Sequence, residues 1–460
     1  MAEKFREMNR KYGDVVYLEA FGKSMVVLGT HQAALDLLEK RSAKYSGREP
    51  STMAQLASWD WAFSSMAYGT LWRRSRKAFH ECFGPAVTGQ YRPVQLDTTH
   101  RFLLRLLQSP QDFAEHTRYV IGGTTIRLAY GIDIDNERTP YLAIATAAMA
   151  TFGETFVPGK YLVELFPILR FLPAWFPGAR FKREAAAWKV LVDRLRNTPW
   201  NASMSRFSDG IAAPSFARSM MERATGLDGK SLQEEIALAK DTAAAAYAGG
   251  TDTMYCTAIT FFLAMAKHTD VQRRAQAELD SVVGRKRLPD FDDWPSLPYL
   301  SAVLQECVRW GVVLPLGLAH RSDEADEYRG YYIPKGTVIV HNAWAYTRDE
   351  QYYPEPEEFK PERYLKDGAI NPDVLDPGNI AFGYGRRVCP GRDFGMAALF
   401  ALAASVLHTF NISPPLDAHG KPLPLERKVS DGGALAVPEP FECTIKPRSA
   451  EAEALILAAN

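Results

Sequence analysis

The sequence predicts a mainly α protein with a small β region, folded as a single domain over residues 1–460. Three observations carry that expectation. Helical patterns dominate up to about Trp310, β-rich stretches lie toward the two ends, and no repeat, low-complexity tract or linker divides the chain. With 47% hydrophobic residues, the 460-residue chain has ample material for a large buried core.

Residues 14–28 read as a hairpin, with Val15-Val16-Tyr17-Leu18 returning through Ser24 to Leu28 around Phe21-Gly22. The clearest helix opens at Ser231-Leu232-Gln233-Glu234, a capping box whose hydroxyl and carboxylate satisfy the first free backbone donors. From there the pattern meets no proline until about His268. That exceeds the usual limit of about 25 residues for a globular helix, so this one must cross the domain. Its middle, from Ala243 through Tyr247 to Gly250, keeps most side chains small and leaves room for something flat and large. Helices follow over 270–283, stopped by Gly284, and over 298–310, stopped by Gly311. Proline in the first turn and glycine past the end are the expected punctuation. Residues 320–344 read as strands around the turn Pro334-Lys335-Gly336, and 353–376 as an irregular proline-rich stretch. A last helix begins at Pro390, and strands around Asp431-Gly432-Gly433 and over 442–446 finish the chain.

Composition narrows the function. Lysine and arginine total 54, as do aspartate and glutamate, which excludes a globally basic nucleic-acid binder and an acidic solvating tail. Five cysteines (Cys82, Cys256, Cys307, Cys389, Cys443) lie far apart without a Cys-x-x-Cys pair. They make neither a disulfide framework nor a structural zinc site, and they fit a reducing compartment with one thiol kept for chemistry. The polar start MAEKFREMNRKYGD is not a signal peptide. No stretch reaches the roughly 18–20 apolar residues a spanning helix needs. The expectation is a soluble catalytic body.

The chemistry concentrates in Phe382-Gly383-Tyr384-Gly385-Arg386-Arg387-Val388-Cys389-Pro390-Gly391. A thiolate that binds a metal at neutral pH must be stabilised as an anion. Cys389 stands just before a helix start, where free N–H groups and the positive end of the dipole favour it. Gly383 and Gly385 let the backbone fold tightly beneath the sulfur, Phe382 shields it from water, and Arg387 carries a cation toward an acidic cofactor group. Gly391 lets the helix start approach a flat partner. The pattern Phe-x-x-Gly-x-Arg-x-Cys-x-Gly resembles the haem-binding loop of the cytochrome P450 family. A dinucleotide-binding reading of Gly383-x-Gly385 fails for want of the third glycine and a preceding strand.

The resemblance extends from about Asp14 to Lys446 and implies the family's triangular, mainly α fold. Glu306-x-x-Arg309 places two charges on one helix face. With Pro361-Glu362-Arg363-Tyr364, the family likeness implies a buried Glu306–Arg309–Arg363 network that locks the cysteine loop. Gly249-Gly250-Thr251-Asp252-Thr253 resembles the oxygen-activation motif, with Met254 standing where threonine or serine is usual. Two mid-helix glycines, each costing about 1 kcal/mol against alanine, need a reason, and a local bend that opens space for dioxygen is one. Asp252 and Thr253 would then relay protons as the catalytic pair. For the haem propionates, Trp72-x-x-x-Arg76, His320 and Arg387 match the family pattern, with Tyr68 as a further candidate.

The implied activity is a haem-thiolate monooxygenase. It would hold haem b through Cys389, use O2, and draw NADPH electrons from a diflavin reductase, with cytochrome b5 as a second donor. Arg73, Arg74, Lys77 and Arg386 form a basic docking patch or are merely solvated. Pocket candidates lie in 51–65, at Phe152 and Phe156, in 244–248, in 312–318 and at Gly432-Gly433-Ala434. These are mostly apolar, which suits a lipophilic substrate. Microsomal relatives carry an N-terminal anchor that places them at the endoplasmic reticulum facing the cytosol. Here residues 166–181, aromatic and followed by Arg180, Lys182 and Arg183, read either as a membrane contact or as a lid. Two rivals stand beside this reading: a peroxygenase or isomerase that needs no reductase, and a non-enzymatic haem sensor.

Overall fold

The structure, a computed structural model, describes all residues except Pro158, Ala418, 431–433 and the side chain of Asn136. The sequence-predicted strand around Asp431-Gly432-Gly433 and the pocket turn at 432–433 therefore lie outside the described residues. In chain order come α1 (Ala2–Tyr12), β1 (Val15–Ala20), β2 (Lys23–Leu28), α2 (Thr52–Leu56), α3 (Thr70–Phe83), α4 (Arg92–Gln108) and α5 (Phe113–Tyr130). Next are α6 (Tyr141–Thr155), α7 (Leu162–Leu165), α8 (Arg180–Ser208), α9 (Phe216–Ala224), α10 (Gly229–Lys267), α11 (Thr269–Val282) and α12 (Pro298–Trp310). Four short strands follow: β3 (His320–Arg321), β4 (Asp326–Tyr328), β5 (Tyr331–Ile333) and β6 (Val338–His341). The chain ends with α13 (Arg392–Thr409), β7 (Phe410–Ser413), β8 (Thr444–Pro447) and α14 (Ala450–Ala458).

The fold is mainly α with small sheets, as the periodicity predicts. β1 and β2 form the expected hairpin, and the β-turn at Phe21-Gly22 uses positive φ at both residues. β2 then pairs in parallel with β6, and β3 closes the other edge antiparallel, giving the order β1-β2-β6-β3. This sheet carries His320 and His341 to one place, since β3 and β6 are neighbours. Trp344 falls in a short helix (Ala343–Tyr346) rather than in the predicted strand, because Asn342 caps it by accepting the Ala345 N–H at 3.1 Å. α1 and α14 lie outside the elements read from the sequence.

α10 is the axis. At 39 residues it spans about 58 Å. It begins at Gly229 with Asp228 as its cap residue, so Ser231 lies inside the first turn and the predicted capping box does not form. Its first half packs into one apolar core with α3, α5, α6, α8 and α9. Its second half, buried almost all round from Ala258 to Ala266, packs into another with α4, α11, α12 and α13. The predicted local bend is not visible as an interruption: the helix stays α-helical through Gly249-Gly250. Between the two cores, around Gly249 to Met254, side chains part and a cavity opens.

Candidate active site

The cavity is bounded by α10 from Ala245 to Ala258, by α5, α6 and α13, by the aromatic segment Trp59 to Ser64, and by the loop around Cys389. Most of the predicted pocket stretches reach it: Trp59, Trp61, Ala62, Phe63, Ser64, Phe152, Ala245, Ala246, Ala248, Val313 and Leu314. Phe156 does not border it and instead packs tilted against Phe152, ring centroids 4.6 Å apart. The segment 166–181 contributes no wall residue. Ile168, Phe171 and Trp175 are instead 71–78% exposed on the surface, so the predicted lid is not what the fold builds.

Cys389 ends a tight loop. Its N–H donates to the Phe382 carbonyl at 2.7 Å, while Arg387 N–H and Val388 N–H donate back to Tyr384 and Gly385. Gly385 has φ +56, and a Cβ there would collide with the Leu38 carbonyl, so only glycine fits. Pro390 and Gly391 form a turn, and the helix starts at Arg392, two residues later than the sequence suggests. Glycine is a poor helix-interior residue and serves here as the cap. Of the five cysteines, Cys82, Cys256 and Cys307 are buried and Cys443 is half-buried, whereas the Cys389 side chain is open. Its opening is to the cavity, not to bulk water. Surrounded by protein, the thiol is pushed up by burial, against which a Gly391 N–H bond and the nearby Arg76 and Arg392 pull it down.

At one end of the cavity sit cations without counter-charges. Arg76 reaches the Val388 carbonyl at 2.6 Å from α3. Arg387 donates to the carbonyls of Ser46, Phe63 and Met66, and lies 4.5 Å over the Trp72 ring. Arg48, which sequence reasoning missed, donates to the carbonyls of Ser64, Leu318 and Ala319. No carboxylate pairs with any of the three among the described residues. Burial holds Arg48 down to about 9, with Arg387 adding repulsion, and Arg387 down to about 10. His320 Nδ1 donates to the Tyr45 carbonyl at 2.7 Å, since a carbonyl only accepts, so Nδ1 carries the proton. His341, also missed, borders the cavity, is buried, and has no hydrogen-bond partner among the described residues. Tyr68 stands one layer out: it packs tilted against Trp72 at 5.0 Å and accepts a bond from Arg386, without reaching the cavity.

Across from Cys389, Thr253 borders the cavity and its Oγ1 donates to the Gly249 carbonyl at 2.7 Å. A Cβ at Gly249 would meet nothing within 4 Å, so the glycine leaves this stretch of wall open. Asp252 does not line the cavity. It points to α5, where Arg118 binds it at 2.7 Å and packs 3.9 Å over Tyr255. Burial raises the Asp252 carboxyl, and Arg118 opposes that shift.

The expected ion network forms, wholly buried at Glu306 and Arg309. Arg309 grips Glu306 through two bonds of 2.7 and 2.8 Å. Arg363 adds one at 3.3 Å, the Tyr364 hydroxyl one at 3.1 Å, and the Lys360 N–H one at 2.8 Å. Arg309 also takes the carbonyls of Thr347, Pro356 and Glu358. The network thus ties α12 to the loop preceding the cysteine segment.

The family model for cytochrome P450 matches residues 1–443. The chain belongs to the cytochrome P450 family. It is 40% identical to cytochrome P450 monooxygenase COX2 of Coprinopsis cinerea, over 97% of this chain and 85% of that protein. It is 38% identical to the tryptamine 4-monooxygenase of Psilocybe cyanescens, over 97% of this chain and 88% of the relative. Among solved structures, a zebra fish cytochrome P450 determined with abiraterone superposes with a TM-score of 0.76, covering 97% of this chain and all of that one. At 22% identity, that likeness speaks to the fold alone. Membership of the P450 family implies haem held by a cysteine thiolate, and monooxygenase chemistry on small molecules.

Proposed function

We propose that the cavity is a haem-thiolate oxygenation site in which Cys389 holds the iron and Thr253, with Asp252, serves the opposite side. The observation that carries this reading is the placement of one open cysteine and a cluster of unpaired cations around the same cavity. Haem b brings a thiolate-binding iron and two carboxylates, and the residues present fit both. Two buried arginines, Arg48 and Arg387, and the half-buried Arg76, all held only by carbonyls, are costly unless an anion joins them. Arg48, Arg76 and Arg387 would receive the propionates, with Trp72 as the surface on which Arg387 rests. His320 spends its Nδ1 proton on Tyr45, so Nε2 donates only when the ring is protonated, a state that a facing carboxylate favours. His341 adds a second imidazole there. Phe382 and Gly391 line the sulfur side and Gly249 the other.

Bound haem iron supplies the activation of O2 and transfer of one oxygen atom to substrate. The chain supplies proton traffic and shape. The Thr253 hydroxyl holds its proton on the Gly249 carbonyl and can turn it into the cavity, and Asp252 can reload it from the α5 side, where Arg118 is partly exposed. The wall of Trp59, Trp61, Phe63, Phe152, Leu128, Met149 and several alanines favours a lipophilic substrate. The electron donor in this reading is a diflavin reductase using NADPH, with cytochrome b5 as auxiliary. Of the four expected docking cations, Arg74 pairs with Glu234 and Glu235 and Lys77 lies near Glu81, which leaves Arg73 and Arg386 flanking Tyr68 for an acidic partner. No helix of the described residues is long and apolar enough to cross a membrane. The exposed Phe166, Ile168, Phe171 and Trp175 beside Arg170 and Arg183 suit contact with the endoplasmic reticulum surface.

The deciding experiment is to reduce the haem-loaded protein under carbon monoxide. A band near about 450 nm that disappears in Cys389→Ala establishes the thiolate. Turnover of a lipophilic substrate with NADPH and reductase, but not with peroxide alone, then separates a monooxygenase from a peroxygenase. A band near about 420 nm in the wild type would defeat the proposal.

A further inference from the structure

The aromatic wall of the pocket is carried by residues 51–65, a segment with little regular structure of its own. α2 is five residues long, and Ser58 just after it adopts φ +61, a region that non-glycine residues enter only under constraint. The constraint comes from elsewhere in the chain. Glu164, on α7, accepts the Ser51 hydroxyl at 2.9 Å and the Met53 N–H at 2.7 Å on one oxygen, and the Thr52 N–H at 3.1 Å on the other.

That arrangement is chemically specific. The Ser51 hydroxyl has one proton, which goes to Glu164, so its lone pairs are free to accept the Ala54 N–H at 2.9 Å and cap α2. A carboxylate can accept all three donors; an amide would turn an NH2 toward at least one of them. Around the carboxylate, Met53 packs with Tyr161, Val163, Ala179 and Phe181. Lys189 adds a bond to Ser58 Oγ at 2.6 Å. Glu164 does not border the cavity, and neither does any other α7 residue.

We propose that Glu164 is a positioning residue for substrate selection: its carboxylate fixes α2, and through α2 the wall of Trp59, Trp61 and Phe63. This rests on reading the cavity as the oxygenation site. It adds that α7, whose Leu162 faces outward and which leads into the exposed 166–176 stretch, sets the pocket's shape from the surface.

The test uses haem-loaded wild type, Glu164→Ala, Glu164→Gln and Glu164→Asp. Hydrogen exchange at the Thr52 and Met53 amides accelerates about tenfold or more in the alanine variant, extends to residues 59–63, and leaves 298–310 and 382–391 unchanged. Soret titration with clotrimazole, an azole bulky enough to contact the wall, shows affinity altered roughly fivefold or more, while imidazole stays within about twofold. The aspartate variant recovers part of both effects, and the glutamine variant less. Unchanged exchange over 51–65, or equal changes for the two azoles, overturns the proposal. Should the alanine variant not fold, Glu164→Gln, which keeps the size of the side chain and turns an NH2 toward at least one of the three donors, gives the same pattern at smaller amplitude, and its failure to do so is equally decisive. A wild type without the thiolate band would sink the reading of the cavity, yet the exchange result would still report on the latch.

Discussion

The two sides of the cavity hold their residues by different means. On the cysteine side, polar groups are buried and multiply bonded: Glu306 alone takes five hydrogen bonds, from Arg309 (two), Arg363, Tyr364 and the Lys360 backbone. On the opposite side the wall is aromatic and aliphatic and is held by scattered single bonds rather than a charge network: Glu164 and Lys189 at its start, Thr151 at Trp59, and Arg387 and Arg48 at the Phe63 and Ser64 carbonyls. Buried charge networks add little net stability but make alternatives costly, because a broken partner leaves a charge without water. Apolar walls tolerate repacking. The contrast suits a site in which the metal ligand stays fixed while the wall differs with the substrate.

Four perturbations would break or sharpen this contrast. The largest is Cys389→Ala, expected to abolish both the thiolate band and turnover while the cation end still retains some haem; pyridine haemochrome content against carbon monoxide spectra checks it. Next is Glu306→Ala, which strands Arg309 in a dry interior and should cost about 3–5 kcal/mol. Chemical denaturation or the yield of folded protein measures it, and Glu306→Gln should recover only part. Third, Thr253→Ala should leave the band intact and lower the coupling of NADPH oxidation to product about tenfold or more, the balance appearing as peroxide. Unchanged coupling would remove the relay role. The smallest concerns His31, buried beside Tyr384 of the cysteine loop with Nδ1 at 3.0 Å from its hydroxyl. Burial lowers its pKa from 6.5, so below pH 6.5 the unfolded chain takes a proton that the folded chain refuses, and stability falls as pH falls. His31→Asn should flatten the dependence of Tm on pH between about 6.5 and 5, an effect on the order of 1 kcal/mol or less.

The long helix, the Pro298–Trp310 helix and the first hairpin were legible because periodicity, proline, glycine and turn residues act locally. The cysteine loop was legible because a rare combination of glycine, arginine and cysteine must sit within ten residues. Less legible were the partners. Asp252 and Thr253 are adjacent in sequence, yet helical geometry turns one toward Arg118 and the other toward the cavity, and nothing near them in sequence announces Arg118. Arg48 and His341 lie in unremarkable surroundings: His341 meets His320 only once β3 pairs with β6, and Arg48 reaches the chain before β3 only once Gly47 bridges Arg321.

By itself, then, the sequence determined the fold class, the axis helix and the cysteine loop, since each follows from patterns within a turn or a loop. The tertiary structure decided which cations lack counter-charges, that Asp252 faces Arg118 rather than the cavity, and that a glutamate on a distant short helix holds the start of the pocket wall. Those are properties of pairs far apart along the chain, and they exist only once burial has removed water as the alternative partner.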